Sequence, residues 1–263
     1  MNLSIIAASK PRQIKCGAIP ATMSLREDAL YISGSNAGIC YMNGSFFDEK
    51  VSGKEPAINR AERVLNTGHH SIANHMMIEV LFEGISKSAA MVLNNLKFYA
   101  TSEKSGRYTT MEGYTKLEKE LYDKWREKLI PIIKKEYPDM DDKLATKLAM
   151  ENARMFIGVD SRIVTMGYSA AYNQWMYIIR WFESYYESTT HDLSQKTKPD
   201  HSESITIVDR FKETLAGELH EIAKYLTILI LGNHQMIADP KHRHINPFGK
   251  IVVPTNVLDK KDC

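Results

Sequence analysis

Three of the nine histidines lie within seven residues, in the segment His69–His75. Neutral imidazole is a common ligand of zinc and iron, so one interpretation of the segment is a metal site. However, adjacent histidines diverge on most backbones, and no His-Glu-x-x-His pattern accompanies them. A second interpretation is a polar turn with capping or solvated histidines. A third is a site for an aromatic, anionic cofactor, to which imidazole can donate hydrogen bonds and on which it can stack.

A second polar segment, Ser102–Thr109, combines hydroxyls, a carboxylate, a guanidinium and a glycine. Arginine binds phosphate through two parallel hydrogen bonds, and hydroxyl or backbone N–H groups complete such a site. The segment is therefore suited to a phosphate, although exposed polar loops of this composition are common. Arg154 lies on the less charged face of its helix, beside Met155 and Phe156. We expect it to be buried with a partner, either an acidic side chain or a ligand phosphate.

Composition and motifs exclude several other classes of protein. The formal net charge is only +2, which gives none of the concentrated positive charge that nucleic-acid or membrane-surface binding needs. No apolar run approaches the roughly 20 residues of a membrane-spanning helix, and the N-terminus makes a poor signal peptide. A P-loop, a nucleophile elbow and a Cys-x-x-Cys pair are all absent. We expect a cytoplasmic enzyme that binds neither nucleic acid nor membrane.

The first half of the chain predicts two strands and two helices. Residues 1–53 read as a strand followed by irregular segments. Apolar residues at helical spacing predict a helix that ends at Gly68, where a left-handed cap would stop it. A strand at 76–84, in which apolar residues alternate with glutamates over part of its length, should follow. Ser86 can then cap a helix that runs to about Phe98.

The second half is predominantly helical. Leucine and tryptophan recur every four residues from Leu117, which predicts a long helix, and Asp141 or Asp142 can cap the next one. A further long helix should cover about Ser204 to Leu231. These elements indicate an α+β fold that is mostly helical with a small sheet.

Two further segments complete the domain. The aromatic-rich stretch 168–182 is more often core packing than a cofactor site. The polar stretch 188–204 reads as a surface loop or an insertion. No composition shift divides the chain, so we expect a single domain over residues 1–263.

Taken together, these segments resemble the flavin-dependent thymidylate synthases. The resemblance covers most of the chain. It is most specific from Gly68 to Tyr108, whose Gly-His…His and Ser-Gly-Arg-Tyr ends have nearly the family's separation. One departure is clear, because the family's Arg-His-Arg triplet corresponds here to Asn95-Leu96-Lys97. Other similar segments are Ala37–Tyr41, Ala153-Arg154 and Ala216–Ala223.

The resemblance implies a reaction and an assembly. FAD would be the cofactor, and NADPH and methylenetetrahydrofolate the co-substrates, in the conversion of dUMP to dTMP. The assembly would be a homotetramer with active sites at subunit interfaces. Two alternatives stay open: a relative that modifies another pyrimidine nucleotide, for example by hydroxymethylation, and a non-catalytic subunit that keeps the fold.

The resemblance also implies roles for individual residues. Arg107 and Arg154 would be catalytic, because they would hold the nucleotide phosphate and stabilise negative charge developing on the uracil carbonyls. No metal site is implied. The substrate-binding residues would be Glu103, Ser105, Gly106, Arg107, Tyr108, Arg154 and Arg180. The cofactor-binding residues would be His69, Ser71, Asn74, His75, Asn95, Lys97 and Glu103.

Overall fold

The computed structural model describes residues 1–11, 24–40, 42–95, 98–106, 109, 113–161, 163–197 and 205–231. It confirms the α+β fold, mostly helical with a small sheet. The strands are β1 (Asn2–Ala8), β2 (Met77–Ile85), β3 (Tyr99–Glu103) and β4 (Val164–Ala171). The α-helices are α1 (Leu25–Ile39), α2 (Glu49–Ser52), α3 (Lys54–Asn66), α4 (Lys87–Leu93), α5 (Lys116–Glu136), α6 (Asp142–Ala153), α7 (Tyr172–Lys196) and α8 (Ile207–Leu226). Two 3₁₀-helices, His70–His75 and Arg154–Phe156, and a π-helical turn, Thr227–Leu231, complete the described elements.

The four strands form one antiparallel sheet in the order β1–β2–β4–β3. In β2, the side chains of Ile78, Val80 and Phe82 are fully buried, which confirms the alternation predicted for this strand. The chain divides into two compact units, and the strands contribute residues to both. Unit 1 comprises Met1–Leu3, Leu81–Lys97 and Thr101–Tyr168, and unit 2 comprises Ser4–Val80, Phe98–Ala100 and Ser169–Cys263.

Helix α1, in unit 2, corrects the expectation of irregular structure after β1. Its start is a capping box, in which the Ser24 side chain accepts the Glu27 N–H and the Glu27 carboxylate accepts the Ser24 N–H. Gly34 weakens the intrinsic helix propensity of the segment. Its missing side chain nevertheless lets α1 approach the backbone of α3 at Ala57. Packing against α3 therefore stabilises a glycine-containing helix whose Ser-x-x-Glu start is a local signal that the expectation of irregular structure overlooked.

The aromatic stretch 168–182 packs into the interior, as the sequence predicts. Tyr172, Trp175 and Phe182 are at most 1% exposed. The indole N–H of Trp175 donates to the Ile78 carbonyl at 3.1 Å. These aromatic side chains therefore stabilise the core of unit 2.

The predicted loop at 188–204 is wrong for residues 188–196, because α7 continues to Lys196. Thr189 is buried, and Lys196 forms an ion pair of 2.9 Å with Asp209 at the start of α8. Packing against α8 thus keeps a polar sequence helical. The rest of the predicted loop, residues 198–204, lies outside the described residues.

Helix α4, in unit 1, begins where the sequence predicts and ends early. The Ser86 side chain caps it by accepting the Ala89 N–H at 3.0 Å. The helix ends at Leu93 instead of about Phe98. Phe98 has a φ of 62°, which is the left-handed region and is incompatible with a continuing α-helix.

Helices α5 and α6, also in unit 1, form a hairpin with its own small core around Ile133, Ala145 and Ala149. Asp141 caps α6, which confirms one of the two predicted caps. Leu117, the first apolar position used to predict α5, is 64% exposed and takes no part in the core. None of the helices in the described ranges is both long and apolar enough to cross a membrane.

Candidate functional site

The histidine-rich segment of unit 2 starts at a fixed reversal of the chain. Gly68 has a φ of 91°, which glycine tolerates best. Its N–H donates to the Leu65 carbonyl at 3.0 Å, and the His69 N–H donates to the Val64 carbonyl at 3.2 Å. This pair of bonds is a Schellman motif. It confirms the predicted end of α3 and fixes where the histidines begin.

The 3₁₀-helix His70–His75 has one buried side and one exposed side. Residues three apart align in a 3₁₀-helix, so Ser71 and Asn74 share one exposed face, and His75 is exposed beside them. His69, just before the helix, is exposed as well, whereas Ala73 is 3% exposed and faces the core. The four cofactor-binding candidates in this segment are therefore all accessible to a ligand.

The end of this 3₁₀-helix is anchored to α7. The Tyr172 N–H donates to the carbonyl of Met76, whose side chain is fully buried, at 2.8 Å. Arg180 lies on α7 about two turns further along and is half-buried. Among the described residues no group of three or more His, Cys, Asp or Glu side chains could hold a metal ion.

The second candidate segment, in unit 1, follows β3. Glu103 pairs with Lys87 at 2.6 Å. The amide and the hydroxyl of Thr109 both donate to the Ser105 carbonyl, at 3.2 and 2.8 Å, and Gly106 is buried. Arg107 and Tyr108, the residues most specific to the predicted nucleotide loop, lie outside the described residues, and their roles stay predictions.

The triplet that departs from the family pattern follows α4. The Asn95 N–H donates to the Val92 carbonyl at 3.2 Å, and its side chain is exposed. Asn95 is thus accessible for the cofactor contact that the sequence predicts. Leu96 and Lys97 lie outside the described residues.

Arg154 corrects the expectation that it is buried. It is exposed, at the start of the Arg154–Phe156 3₁₀-helix. The neighbouring Phe156 is 37% exposed and stacks on Trp125, with ring centroids 5.3 Å apart and planes 8° apart. An exposed guanidinium needs no protein partner, so Arg154 is available to a ligand.

Sequence reasoning did not select Glu118, at the start of α5. One carboxylate oxygen accepts the Gly158 N–H and the Ser161 hydroxyl, both at 2.6 Å, and the other accepts two donors of Thr115. Partial burial alone would raise the pKa of Glu118, but these hydrogen bonds hold it at about 2. The Thr-x-x-Glu spacing of Thr115 and Glu118 is a capping-box signature that could have identified this residue.

Contacts among the described residues connect some of the predicted site segments within each unit. In unit 1, the start of α4 contacts both the segment that carries Glu103 and the turn that follows Arg154. Lys87 pairs with Glu103, and the Ser88 N–H donates to the Val159 carbonyl, in the turn after Arg154, at 2.7 Å. In unit 2, the histidine segment is joined to the helix that carries Arg180.

Comparisons with known proteins identify the family. A crystal structure of flavin-dependent thymidylate synthase ThyX from Helicobacter pylori, complexed with FAD and dUMP, is 15% identical, covers 91% of this chain and 98% of its own, and has a TM-score of 0.48. The UMP/dUMP methylase PolB from Streptomyces cacaoi, bound with 5-Br dUMP, is 12% identical, covers 86% and 90%, and has a TM-score of 0.43. No curated protein matches the sequence significantly. The sequence profile of Thy1, the thymidylate synthase complementing proteins, matches residues 27–180. That match spans more than half of the chain, which therefore belongs to the Thy1 family of thymidylate synthase complementing proteins.

Proposed function

We propose that this protein is a flavin-dependent thymidylate synthase. It would transfer a one-carbon unit from methylenetetrahydrofolate to C5 of dUMP and reduce it, giving dTMP, with FAD as cofactor and NADPH as reductant. The observation that carries the proposal is the family match over residues 27–180. The matched range contains every candidate substrate- and cofactor-binding residue, from His69 to Arg180.

The exposed side of the histidine segment fits a flavin by the chemistry of its donors. His69 and His75 provide imidazoles, Asn74 an amide and Ser71 a hydroxyl, all accessible to a ligand. Such groups can hydrogen-bond the carbonyl oxygens and ring nitrogens of an isoalloxazine. The bound flavin would supply the hydride for the reduction. These four side chains would orient the ring system and fix its distance from the nucleotide.

The nucleotide would be bound by positively charged arginine side chains and by the segment that follows β3. Arg107 and Arg154 would bind the phosphate and stabilise negative charge on the uracil carbonyls. Ser105, Gly106 and Tyr108 would complete the phosphate site, and Arg180 would add a third guanidinium. Two observations support this arrangement: Arg154 is exposed, and the start of α4 links the turn after Arg154 to Glu103.

One observation favours a second candidate function. Asn95-Leu96-Lys97 stands where the family has Arg-His-Arg, so two positive or ionisable side chains are missing from the flavin and nucleotide site. A planar guanidinium fork is not reproduced by lysine. The second candidate is therefore a divergent relative that modifies another pyrimidine nucleotide, and the third is a subunit without catalytic activity.

An absorbance spectrum of the freshly purified protein, followed by titration with FAD, separates these functions. Retained or tightly titrated flavin supports an enzyme, whereas no shifted flavin band and no fluorescence quenching would exclude the first two candidates. Incubation of the flavoprotein with dUMP, methylenetetrahydrofolate and NADPH should then produce dTMP. A hydroxymethylated or otherwise modified nucleotide in its place would identify the divergent relative.

We also propose that the protein is a homotetramer with active sites at subunit interfaces. The aromatic stretch 168–182 does not provide the interface, because Trp175, Trp181 and Phe182 are buried within unit 2. Better candidates are exposed apolar side chains such as Tyr225 and Ile228 near the end of α8, which are 40% and 65% exposed. Light scattering should give four times the mass of one chain, and a single-chain mass would contradict the proposal.

A further inference from the structure

The turn that follows Arg154 is fixed to the start of α5 by one carboxylate. The Gly158 N–H and the Ser161 hydroxyl both donate to Oε1 of Glu118, each at 2.6 Å. Ser161 is 9% exposed. Hydrogen bonds to an ionised acceptor are about twice as strong as neutral ones. The two bonds therefore hold residues 158–161 firmly against the helix.

The same face of α5 holds the other end of this segment. Trp125 lies seven residues after Glu118, about two helical turns, so the two side chains project from the same side of the helix. The Trp125 ring stacks on Phe156 with centroids 5.3 Å apart. Within the 3₁₀-turn itself, the Ile157 N–H donates to the Arg154 carbonyl at 3.0 Å. The turn that carries Arg154 is thus held before Ile157 by the stacking of Phe156 on Trp125 and after it by the hydrogen bond of Gly158 to Glu118.

A third contact connects this turn to the segment that carries Glu103. The Ser88 N–H, at the start of α4, donates to the Val159 carbonyl at 2.7 Å, in the middle of the part held by Glu118. The neighbouring Lys87 forms the ion pair with Glu103. A displacement of the 158–161 turn would therefore alter both Arg154 and the environment of Glu103.

The remaining oxygen of Glu118 has no capacity for a ligand. Oε2 accepts the Thr115 N–H at 2.7 Å and the Thr115 hydroxyl at 2.8 Å. Four donors thus face a group that, when ionised, can only accept. Glu118 can therefore affect ligand binding without contacting a ligand. Its Oε1 holds the Gly158–Ser161 turn, and its Oε2 caps α5.

We propose that Glu118 is a positioning residue for nucleotide binding, which acts through Oε1 and the Gly158–Ser161 turn to hold Arg154 in place. The proposal rests on the proposed function, because it takes Arg154 as a ligand of the nucleotide. It goes beyond that function by assigning a role to a residue outside the predicted site. It also predicts that the hydrogen bonds of Oε1 affect dUMP binding, whereas those of Oε2 do not.

The test compares variants on the two sides of this carboxylate. Glu118→Ala removes the hydrogen bonds of both carboxylate oxygens. Ser161→Ala removes one of the two donors to Oε1. Thr115→Ala removes only the hydroxyl of the α5 cap and leaves the backbone N–H that donates to Oε2. Titration calorimetry with dUMP should show a loss of affinity of about 3- to 30-fold for Glu118→Ala and a smaller loss for Ser161→Ala. Thr115→Ala should lower the melting temperature and leave the dUMP affinity within about twofold.

A double mutant separates positioning from a general structural effect. In an Arg154→Ala background, Glu118→Ala should cause a much smaller loss of dUMP affinity, because most of its effect passes through Arg154 and only the remainder through Glu103. An equal loss in both backgrounds would overturn the proposal. So would a loss in Thr115→Ala as large as that in Glu118→Ala, because affinity would then follow only the stability of α5.

Amide hydrogen exchange distinguishes failure of this inference from failure of the proposed function. Exchange at Ile157, which reports the turn at Arg154, should become about tenfold faster in Glu118→Ala and stay unchanged in Thr115→Ala. If the parent protein binds no dUMP, the proposed function fails and the exchange result alone decides whether Glu118 holds the turn. Unchanged exchange at Ile157 in Glu118→Ala would overturn the positioning role.

Discussion

Gly34 on α1 and Ala57 on α3 pack backbone against backbone. A β-carbon at Gly34 would lie 1.8 Å from the Ala57 carbonyl oxygen, a distance that no side chain can occupy. Arg60, one turn further along α3, donates to the Gly34 carbonyl at 2.8 Å and to the Val51 carbonyl at 2.9 Å. The close approach of these helices therefore depends on a missing side chain.

Gly34→Ala should destabilise the protein by about 3 kcal/mol, because the two helices must separate to admit the methyl group. Gly217→Ala is the matched control. Gly217 lies within α8, and nothing lies within 4 Å of the added β-carbon. That variant should gain about 0.5–1 kcal/mol from its better helix propensity. Chemical denaturation of both variants measures the difference, and equal effects would contradict the packing argument.

The hydrogen bonds of Glu118 make the stability of the protein depend on pH under acid conditions. Its pKa is lowered from 4.5 to about 2 in the folded protein. The contribution to stability is therefore present above pH 4.5 and is lost as the pH falls from about 4.5 to 2. Across that range the free energy of unfolding of Glu118→Gln should fall less steeply than that of the parent. Parallel curves in denaturation experiments would argue against the assignment.

Arg107 gives the sharpest test of the nucleotide site. If its guanidinium forms two parallel hydrogen bonds with the phosphate, the contact contributes roughly 1.5–3 kcal/mol. Arg107→Ala should then weaken dUMP binding by about 10- to 150-fold. Arg107→Lys should recover only part of the affinity, because a point charge cannot form the fork. Calorimetric titration measures both variants beside the parent.

Melting curves on the same samples distinguish a binding role for Arg107 from a structural one. A structural ion pair would lower the melting temperature without a selective loss of binding. An exposed residue with no role would leave the dUMP affinity unchanged. Unchanged affinity in Arg107→Ala would remove the nucleotide-loop assignment.

The exposed face of the histidine segment predicts a specific effect on flavin binding. Asn74→Ala and His75→Ala each remove one hydrogen-bonding group, so each should weaken FAD binding by roughly 2- to 12-fold. Both side chains are exposed, so the melting temperature should change little. Asn66→Ala, an exposed position at the end of α3, is the control and should bind FAD like the parent. Fluorescence quenching measures all three affinities.

Apolar periodicity and helix-capping residues in the sequence determined several elements by themselves. Alternation marked Ile78, Val80 and Phe82 as the buried side of β2, and the structure places all three in the core. Gly68 ended α3, and Ser86 capped α4, because a left-handed cap and a hydroxyl acceptor satisfy backbone groups locally. These features depend on residues within a few positions of each other, so they need no knowledge of the rest of the fold.

Other features were decided by residues distant in sequence. Helix α1 forms although it contains Gly34, because the same glycine allows contact with Ala57. The polar end of α7 stays helical because Lys196 pairs with Asp209 on α8. Arg154 is exposed, while Phe156, two residues later, is held by stacking on Trp125 of α5. The sequence alone indicated the family and the residue types of the candidate site, whereas tertiary packing decided which side chains face solvent and which carboxylate holds the turn beside Arg154.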